Sequence, residues 1–395
     1  MVDIGNIKTL AVVGAGTMGR EIAQVALMGG FTKVVLNDIN QATLEDAVKY
    51  IENGLNKLES KGYLNQEFTS DLLMGRLVSE LDLKKAVECA DFIIEAIPER
   101  MDLKQSLFQK LGELAPKDTV LATNSSTMSI TKIGSLSERD EKVIGMHHFI
   151  PIPLLRLIEV IKGEKTSDET AAITVAVGKR FPAVKGERFL PILKESPGFI
   201  VNRLVVTGSA YPVWLLDYAE DNGIPFEDVD ADKASFAKFG PFAQMDYLGL
   251  ETVYNTRTYF GQEISPDLAP GRVLTRLVKE GNLGRPTGKG ILEWTKDGRL
   301  KKISTKKANL FNMETYFAIQ LNEGCRLLEE GIVSGFKTID DTMLAGMDVP
   351  GPFGAGKRNY KNWCELLEDF VEKSGKQYFK PCVLMKSGGF LKMKK

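Results

Sequence analysis

The sequence predicts an α/β protein, a doubly wound parallel sheet followed by an all-α C-terminal part that reads as duplicated. Three observations carry this. Short apolar runs alternate with amphipathic stretches through roughly the first 190 residues, the pattern of strands buried between helices. A glycine-rich turn joins the first run to the first amphipathic stretch. Beyond Ser196-Pro197-Gly198 strand signals fade and helical periodicity takes over.

Residues 7–13 (IKTLAVV) read as a buried parallel strand, and residues 17–29 (TMGREIAQVALMG) as the helix after it. Gly29-Gly30 stops that helix, and Lys33–Leu36 is a second strand. A long amphipathic helix follows from about Gln41 to Lys61. Further strands are expected at Asp91–Ile97, Thr119–Ala122 and Lys142–Met146. Residues 199–221 read as one long apolar helical run. The segments beginning at Trp214 and Arg326 share a Gly turn, an acidic helix start and a Gly-Pro-Phe, at Gly240–Phe242 and Gly351–Phe353. The domain boundaries this implies are 1–196, 197–300 and 301–395, the last two being copies. Two acidic amphipathic helices alike by chance are the alternative.

Composition narrows the function. With 51 Lys and Arg against 52 Asp and Glu, no field of one sign is available to hold nucleic acid or an anionic membrane. Cys89, Cys325, Cys364 and Cys382 show no CxxC spacing, and His147 and His148 are the only histidines, so no zinc finger or other metal site is expected. No secretory signal or membrane-spanning run is seen, and a cytoplasmic location is expected.

Gly14-Ala15-Gly16-Thr17-Met18-Gly19 is a GxGxxG between strand and helix. Gly14 permits the tight turn, Gly16 lets the backbone approach a pyrophosphate, and Gly19 lets helix and strand pack closely. Asp38 ends the second strand, where a carboxylate suits the adenosine ribose and repels the 2′-phosphate of NADP. The sheet is therefore expected to be a Rossmann-type dinucleotide-binding domain, with NAD as the cofactor. A glycine turn with a capping aspartate is the plainer reading.

In GMHHFIPIPLLRLIEVI two apolar strands flank a Pro151/Pro153 turn. A hairpin-like return would set Glu159 beside His147, a pair suited to removing a hydroxyl proton. A histidine satisfied by backbone, with a surface glutamate, is an equal alternative on spacing alone. Asn124-Ser125-Ser126 follows a strand, where ligands sit in open α/β sheets, or else caps the next helix. Asn202 is polar within an apolar helical run, facing either a cleft or a neighbouring helix.

The strings GAGTMG, DFIIEAIPE, LATNSS, GMHHFIPIP, LIEVI and PGFIVNRL occur in the order found in the (S)-3-hydroxyacyl-CoA dehydrogenases, and LGRPTGKG extends the resemblance to Trp294. This resemblance implies NAD-dependent oxidation of (S)-3-hydroxyacyl-CoA to 3-oxoacyl-CoA, the chemistry of fatty-acid β-oxidation, on short chains such as 3-hydroxybutyryl-CoA. It implies His147 as the base, paired with Glu159, and Ser126 and Asn202 at the substrate oxygen and thioester. Gly14, Gly16, Thr17, Met18, Gly19, Asp38, Glu99, Lys104 and Ser126 match the cofactor positions. Lys61 matches a residue that meets the CoA phosphates; otherwise it is a solvated lysine at a helix end.

The chain departs from the family pattern in places. His148 and Ile150 stand within the usual His-Phe-Phe-Asn-Pro, and Ile150 cannot make the side-chain hydrogen bond of the asparagine it replaces. Pro286 stands where a lysine approaches the cofactor, and Gly54 where a serine contacts CoA. An insert around residues 186–193 lengthens the strand region before Pro197. Long family members carry a duplicated helical domain, which implies a monomer in place of the homodimer of short members, and no enoyl-CoA hydratase module is expected. A dehydrogenase of free hydroxy or sugar acids, or an NAD-binding protein without turnover, are the competing readings.

Overall fold

The computed structural model describes residues 7–233 and 237–393. The chain divides into two compact units. The first is Met1–Phe199 with Gly331–Val333 and Asp341–Gly351; the second is Ile200–Glu330, Ser334–Asp340 and Pro352–Lys395.

Among the described residues, the first unit holds an eight-stranded sheet. Its strands are β1 (Thr9–Val13), β2 (Lys33–Asn37), β3 (Leu77–Glu80), β4 (Phe92–Glu95), β5 (Val120–Thr123), β6 (Val143–His148), β7 (Ile158–Lys162) and β8 (Ile192–Lys194), in the order β3-β2-β1-β4-β5-β6-β7-β8. The pairings from β3 to β6 are parallel, β7 runs antiparallel to β6, and β8 parallel to β7. Its helices are α1 (Thr17–Met28), α2 (Gln41–Ser60), α3 (Ser70–Met74), α4 (Leu83–Val87), α5 (Met101–Leu114), α6 (Ile130–Gly134) and α7 (Asp168–Arg180). Strands β4 and β5 are buried throughout, as expected where helices cover both faces of a parallel sheet.

One strand escapes a reading of the sequence, and another is marked there only as a lengthened strand region. The residues of β3 are all half-buried or exposed, so it has neither an apolar run nor a clean alternation. Only the middle residue of β8, Leu193, is buried. The lengthened region at 186–193 supplies β8, and Lys194 donates its N–H to Ile332 O, in a C-terminal piece of the same unit (3.3 Å). Sequence texture placed 301–395 together, whereas two of its pieces pack with the sheet.

The second unit is helical: α8 (Val201–Gly208), α9 (Ala210–Asp221), α10 (Phe226–Asp230), α11 (Pro241–Leu248), α12 (Leu250–Glu263), α13 (Arg272–Lys279), α14 (Met313–Glu329), α15 (Phe336–Met347, which ends in the first unit), α16 (Pro352–Ser374) and α17 (Val383–Ser387). The single run expected over 199–221 is two helices parted at Ser209. Pro212 is the reason: it has no N–H to give Gly208 O and its ring crowds that carbonyl. Arg257, fully buried, donates instead to Val206 O and Ser209 Oγ at 2.9 Å, satisfying the broken end.

The two Gly-Pro-Phe turns share one device. Asp230 Oδ1 accepts the Phe242 and Ala243 N–H groups at 2.9 Å, and Asp340 Oδ1 accepts that of Phe353 at 3.0 Å. Each aspartate thus caps the helix that starts at the following Pro.

The LGRPTGKG string is explained by Asp246. Its fully buried carboxylate accepts Ile291 N (2.9 Å), Leu292 N (2.8 Å) and Trp294 Nε1 (2.9 Å). A Cβ at Gly290 would lie 2.2 Å from that carboxylate, and one at Gly284 2.6 Å from the Asp246 carbonyl. Burial raises the Asp246 carboxyl from 3.8 to about 6 despite these donors. A carboxyl that binds its proton more tightly folded than unfolded stabilises the fold fully below pH 3.8, and that contribution is lost as pH rises through 6. The change amounts to about 3 kcal/mol. Urea midpoints followed by tryptophan fluorescence should therefore fall between pH 4 and 6 in the wild type relative to Asp246→Asn; equal pH slopes would show that another group titrates.

Candidate functional site

The site is built at the carboxyl ends of the strands, where an open α/β sheet leaves its crevice. After β1, Gly14 takes φ +102° and gives its N–H to Asn37 O (2.8 Å); a Cβ there would lie 2.6 Å from Ala96 O. A Cβ on Gly19 would fall 1.7 Å from Gly14 O, so turn and helix meet only because both residues are glycine. Gly16 is the N-cap of α1. No side chain caps it, no acidic residue sits in the first turn, and a Cβ there would touch nothing within 4 Å. Free N–H groups, open space and a helix N-terminus fit a pyrophosphate. Thr17 is exposed and Met18 half-buried in that first turn. Asp38 faces the same loop: its carboxylate accepts Ala15 N (2.9 Å) and Asn40 N (3.0 Å), so it also holds the turn in shape.

A second cluster lies after β4 and β5. Lys104, 1% exposed, reaches from α5 to Glu95 Oε1 (2.6 Å) and Glu99 Oε2 (3.2 Å). Glu95 is fully buried and also accepts Ile97 N (2.7 Å) and Thr123 Oγ1 (2.5 Å). Glu99 Oε1 accepts Ser125 Oγ (2.6 Å) and Ser126 N (2.9 Å). Burial raises the Glu99 carboxyl, but the Lys104 charge, then the Ser125 hydroxyl and Ser126 amide, hold it below its ordinary value. The structure thus joins Glu99, Lys104 and Ser126 in one network. Lys104 is enclosed by carboxylates and not held open to a ligand. Glu95, which completes the set, was missed in the sequence because a glutamate inside an apolar strand has no spacing signature.

The third cluster is the histidine pair. In the antiparallel ladder His147 stands opposite Glu159, and its Nδ1 lies 2.8 Å from Glu159 Oε2. Glu159 is fully buried and His147 5% exposed. The Phe149 and Phe199 rings lie 4.3 and 5.7 Å from the imidazole. Phe199 takes φ +54° after Gly198 at φ +76°, an uncommon conformation for a bulky residue. His148 points to the other face and stacks on Phe181 (5.9 Å). Asn124 Oδ1 accepts its backbone N–H (2.9 Å) and lies 3.0 Å from its Nδ1.

The loop after His147 is held from both sides. Glu21 of α1 accepts Ile152 N (2.6 Å), and Arg188 of the lengthened region donates to Ile152 O (3.0 Å), Phe181 O (3.0 Å) and Pro182 O (2.7 Å). Neither residue stood out in the sequence, since their bonds to Ile152 span 131 and 36 residues.

The remaining expected residues stand on other elements. Lys61 is exposed at the end of α2, with no side-chain partner among the described residues. At Gly54 a Cβ would lie 2.7 Å from Gln24 Oε1, so Gln24 occupies the space a serine would need. Ile150 is 49% exposed. Asn202 lies half-buried on α8 and Pro286 is exposed, both in the helical unit.

Comparison with known proteins points to one family. The family model "3-hydroxyacyl-CoA dehydrogenase, NAD binding domain" matches residues 9–184, and the model "3-hydroxyacyl-CoA dehydrogenase, C-terminal domain" residues 198–294. A probable 3-hydroxybutyryl-CoA dehydrogenase of Deinococcus radiodurans is 34% identical over 72% of this chain and 99% of its own. The 3-hydroxybutyryl-CoA dehydrogenase of Clostridioides difficile is 33% identical over 73% of this chain and 99% of its own. The crystal structure of 3-hydroxybutyryl-CoA dehydrogenase from Escherichia coli superposes with TM-score 0.79 at 25% identity, covering 98% of this chain and 99% of that one. No helix among the described residues is long and apolar enough to cross a membrane.

Proposed function

Because the chain belongs to the 3-hydroxyacyl-CoA dehydrogenase family, we propose that His147 is the base of its reaction and Glu159 the residue that sets that base. The protein oxidises 3-hydroxyacyl-CoA thioesters with NAD. The observation that carries the assignment is the contact of His147 Nδ1 with Glu159 Oε2 at 2.8 Å, near the carboxyl end of the sheet. A carboxylate only accepts, so the imidazole keeps its proton on Nδ1 and presents Nε2 as the acceptor for the 3-hydroxyl proton. Glu159 steadies the imidazolium as it forms. Phe149 and Phe199 flank the ring, which is nearly buried.

NAD would supply the acceptor for the hydride that leaves C3. Gly14, Gly16, Thr17, Met18 and Gly19 would hold its pyrophosphate and Asp38 its adenosine ribose. Glu99 and Ser126, set by Lys104, would lie against the nicotinamide half. By the family resemblance Ser126 would orient the substrate oxygen, Asn202 would contact the substrate, and Lys61 would take the CoA phosphates. Short acyl chains such as 3-hydroxybutyryl, of S configuration, are the substrates, in line with the names of the bacterial relatives. The four free cysteines suit a reducing compartment, and we read the protein as cytoplasmic.

The aspartate caps of α11 and α16 support a duplicated helical domain, in which the second copy takes a partner subunit's place. Light scattering should then return one chain, 43.7 kDa; twice that mass would overturn the monomer. The function is tested by following NADH absorbance with acetoacetyl-CoA, with NADPH as control. Rapid loss of NADH absorbance supports the reading, and NADH binding without turnover sinks it.

A further inference from the structure

The second histidine of the pair has no part in the reaction described above, yet it is buried at 2% exposure and tied to the loop that carries Ser126. Its donors and acceptors can be assigned by elimination. The backbone N–H of His148 can only donate, so the Asn124 atom 2.9 Å away is the carbonyl oxygen of the amide. That same oxygen lies 3.0 Å from His148 Nδ1, and two acceptors do not bond, so Nδ1 carries the proton. Nε2 is then a bare acceptor, and it is buried without a hydrogen-bond partner in the protein. Burial first, then the charges of Arg188 and His147, hold the ring well below the usual histidine range, so it stays in this neutral tautomer.

Such an arrangement has a cost. An orphaned buried acceptor is unfavourable, and a phenylalanine, the residue expected from the family pattern, would stack on Phe181 without it. What the histidine adds is a second hydrogen bond to Asn124 Oδ1. Two donors converging on one oxygen fix the amide plane and turn its Nδ2 donor away from β6. Asn124 directly follows β5, with its own N–H on Glu95 O (2.8 Å), so it belongs to the carboxyl edge of the sheet. Two residues beyond His148, the family's asparagine is Ile150, whose side chain offers no hydrogen bond.

We propose that His148 is a positioning residue that locks Asn124, so that the Asn124 Nδ2 donor supplies the cofactor with the amide contact Ile150 cannot make. The two departures at 148 and 150 are then one compensated change. The proposal rests on the placement of NAD at this edge of the sheet, and its test is kept separate from turnover.

NADH binding is titrated by nucleotide fluorescence in the wild type, His148→Phe, Asn124→Ala, the double variant, and His148→Phe with Ile150→Asn. Loss of one neutral hydrogen bond should weaken NADH binding about fivefold in His148→Phe. The same loss should appear in KM for NADH and not in kcat, with Tm at or above wild type because the orphaned acceptor is gone. Asn124→Ala should weaken binding at least as much, and adding His148→Phe to it should cost nothing further. Ile150→Asn, at an exposed position, should restore affinity in the His148→Phe background. Wild-type affinity in His148→Phe, or effects that multiply in the double variant, would overturn the proposal. Should the wild type bind NADH but leave acetoacetyl-CoA unreduced, the substrate assignment fails while the titration still decides the role of His148.

Discussion

His147→Ala is expected to lower kcat for the reduction of acetoacetyl-CoA by NADH on the order of 10² to 10⁴-fold, the range set by a positioned general acid or base. NADH binding should survive, because the glycine turn, Asp38 and the Glu99 network lie on other elements. The truncation also leaves fully buried Glu159 without its imidazole, so part of any loss of activity would come from lost stability. His147→Gln separates the two: it keeps a donor for Glu159 but cannot take up a proton. If His147→Gln folds with wild-type Tm and binds NADH yet turns over as fast as wild type, His147 is not the base. Glu159→Gln should fall between wild type and the His147 variants, since the amide can hold the imidazole in place but favours the wrong tautomer.

Lys104→Met should lower the Tm of the NAD-binding unit by roughly 10 °C. Removing one partner of a buried ion pair leaves the other charge uncompensated, a loss of about 3–5 kcal/mol, and a domain of this size shifts about 2–4 °C per kcal/mol. Glu95 is the stranded charge: it is fully buried, and only Thr123 Oγ1 and Ile97 N would remain to it. The double variant Glu95→Gln with Lys104→Met should recover most of the stability, because no buried charge is then left alone. It should bind NADH poorly, since Glu99 loses the cation that lowers its carboxyl and helps hold it against Ser126. A thermal melt of both variants decides the matter. A Tm unchanged in Lys104→Met would mean that Glu95 takes up a proton at no cost.

Much of the site was legible in the order of residues. The turn after β1 needs glycine at 14 and 19 for reasons local to a strand–turn–helix, and such needs leave their mark in neighbouring positions. The return of Glu159 onto His147 was legible as one of two equal alternatives, because an antiparallel pair keeps both partners within a dozen residues. Family strings then singled out Glu99, Lys104 and Ser126, which the fold joins in one network. Strand β3 was not legible: short and largely open to solvent, it buries no residue fully. Strand β8 was legible only as a lengthened strand region, without its bounds. The break at Ser209 was signalled by Pro212, which an apolar run obscured.

By itself, then, the sequence determined the alternation of strands and helices, the dinucleotide turn with its carboxylate, and the family to which the chain belongs. Each depends on residues close together in the chain, where periodicity and backbone sterics act directly. Only the tertiary structure decided that Glu95 anchors Lys104, that Glu21 and Arg188 hold Ile152 from two sides, and that His148 bonds Asn124. It also decided that pieces of the C-terminal hundred residues pack with the sheet unit. These are pairings of buried polar groups across many residues of sequence. Any of several donors would satisfy the acceptor chemically, and which one arrives is settled by how the layers pack.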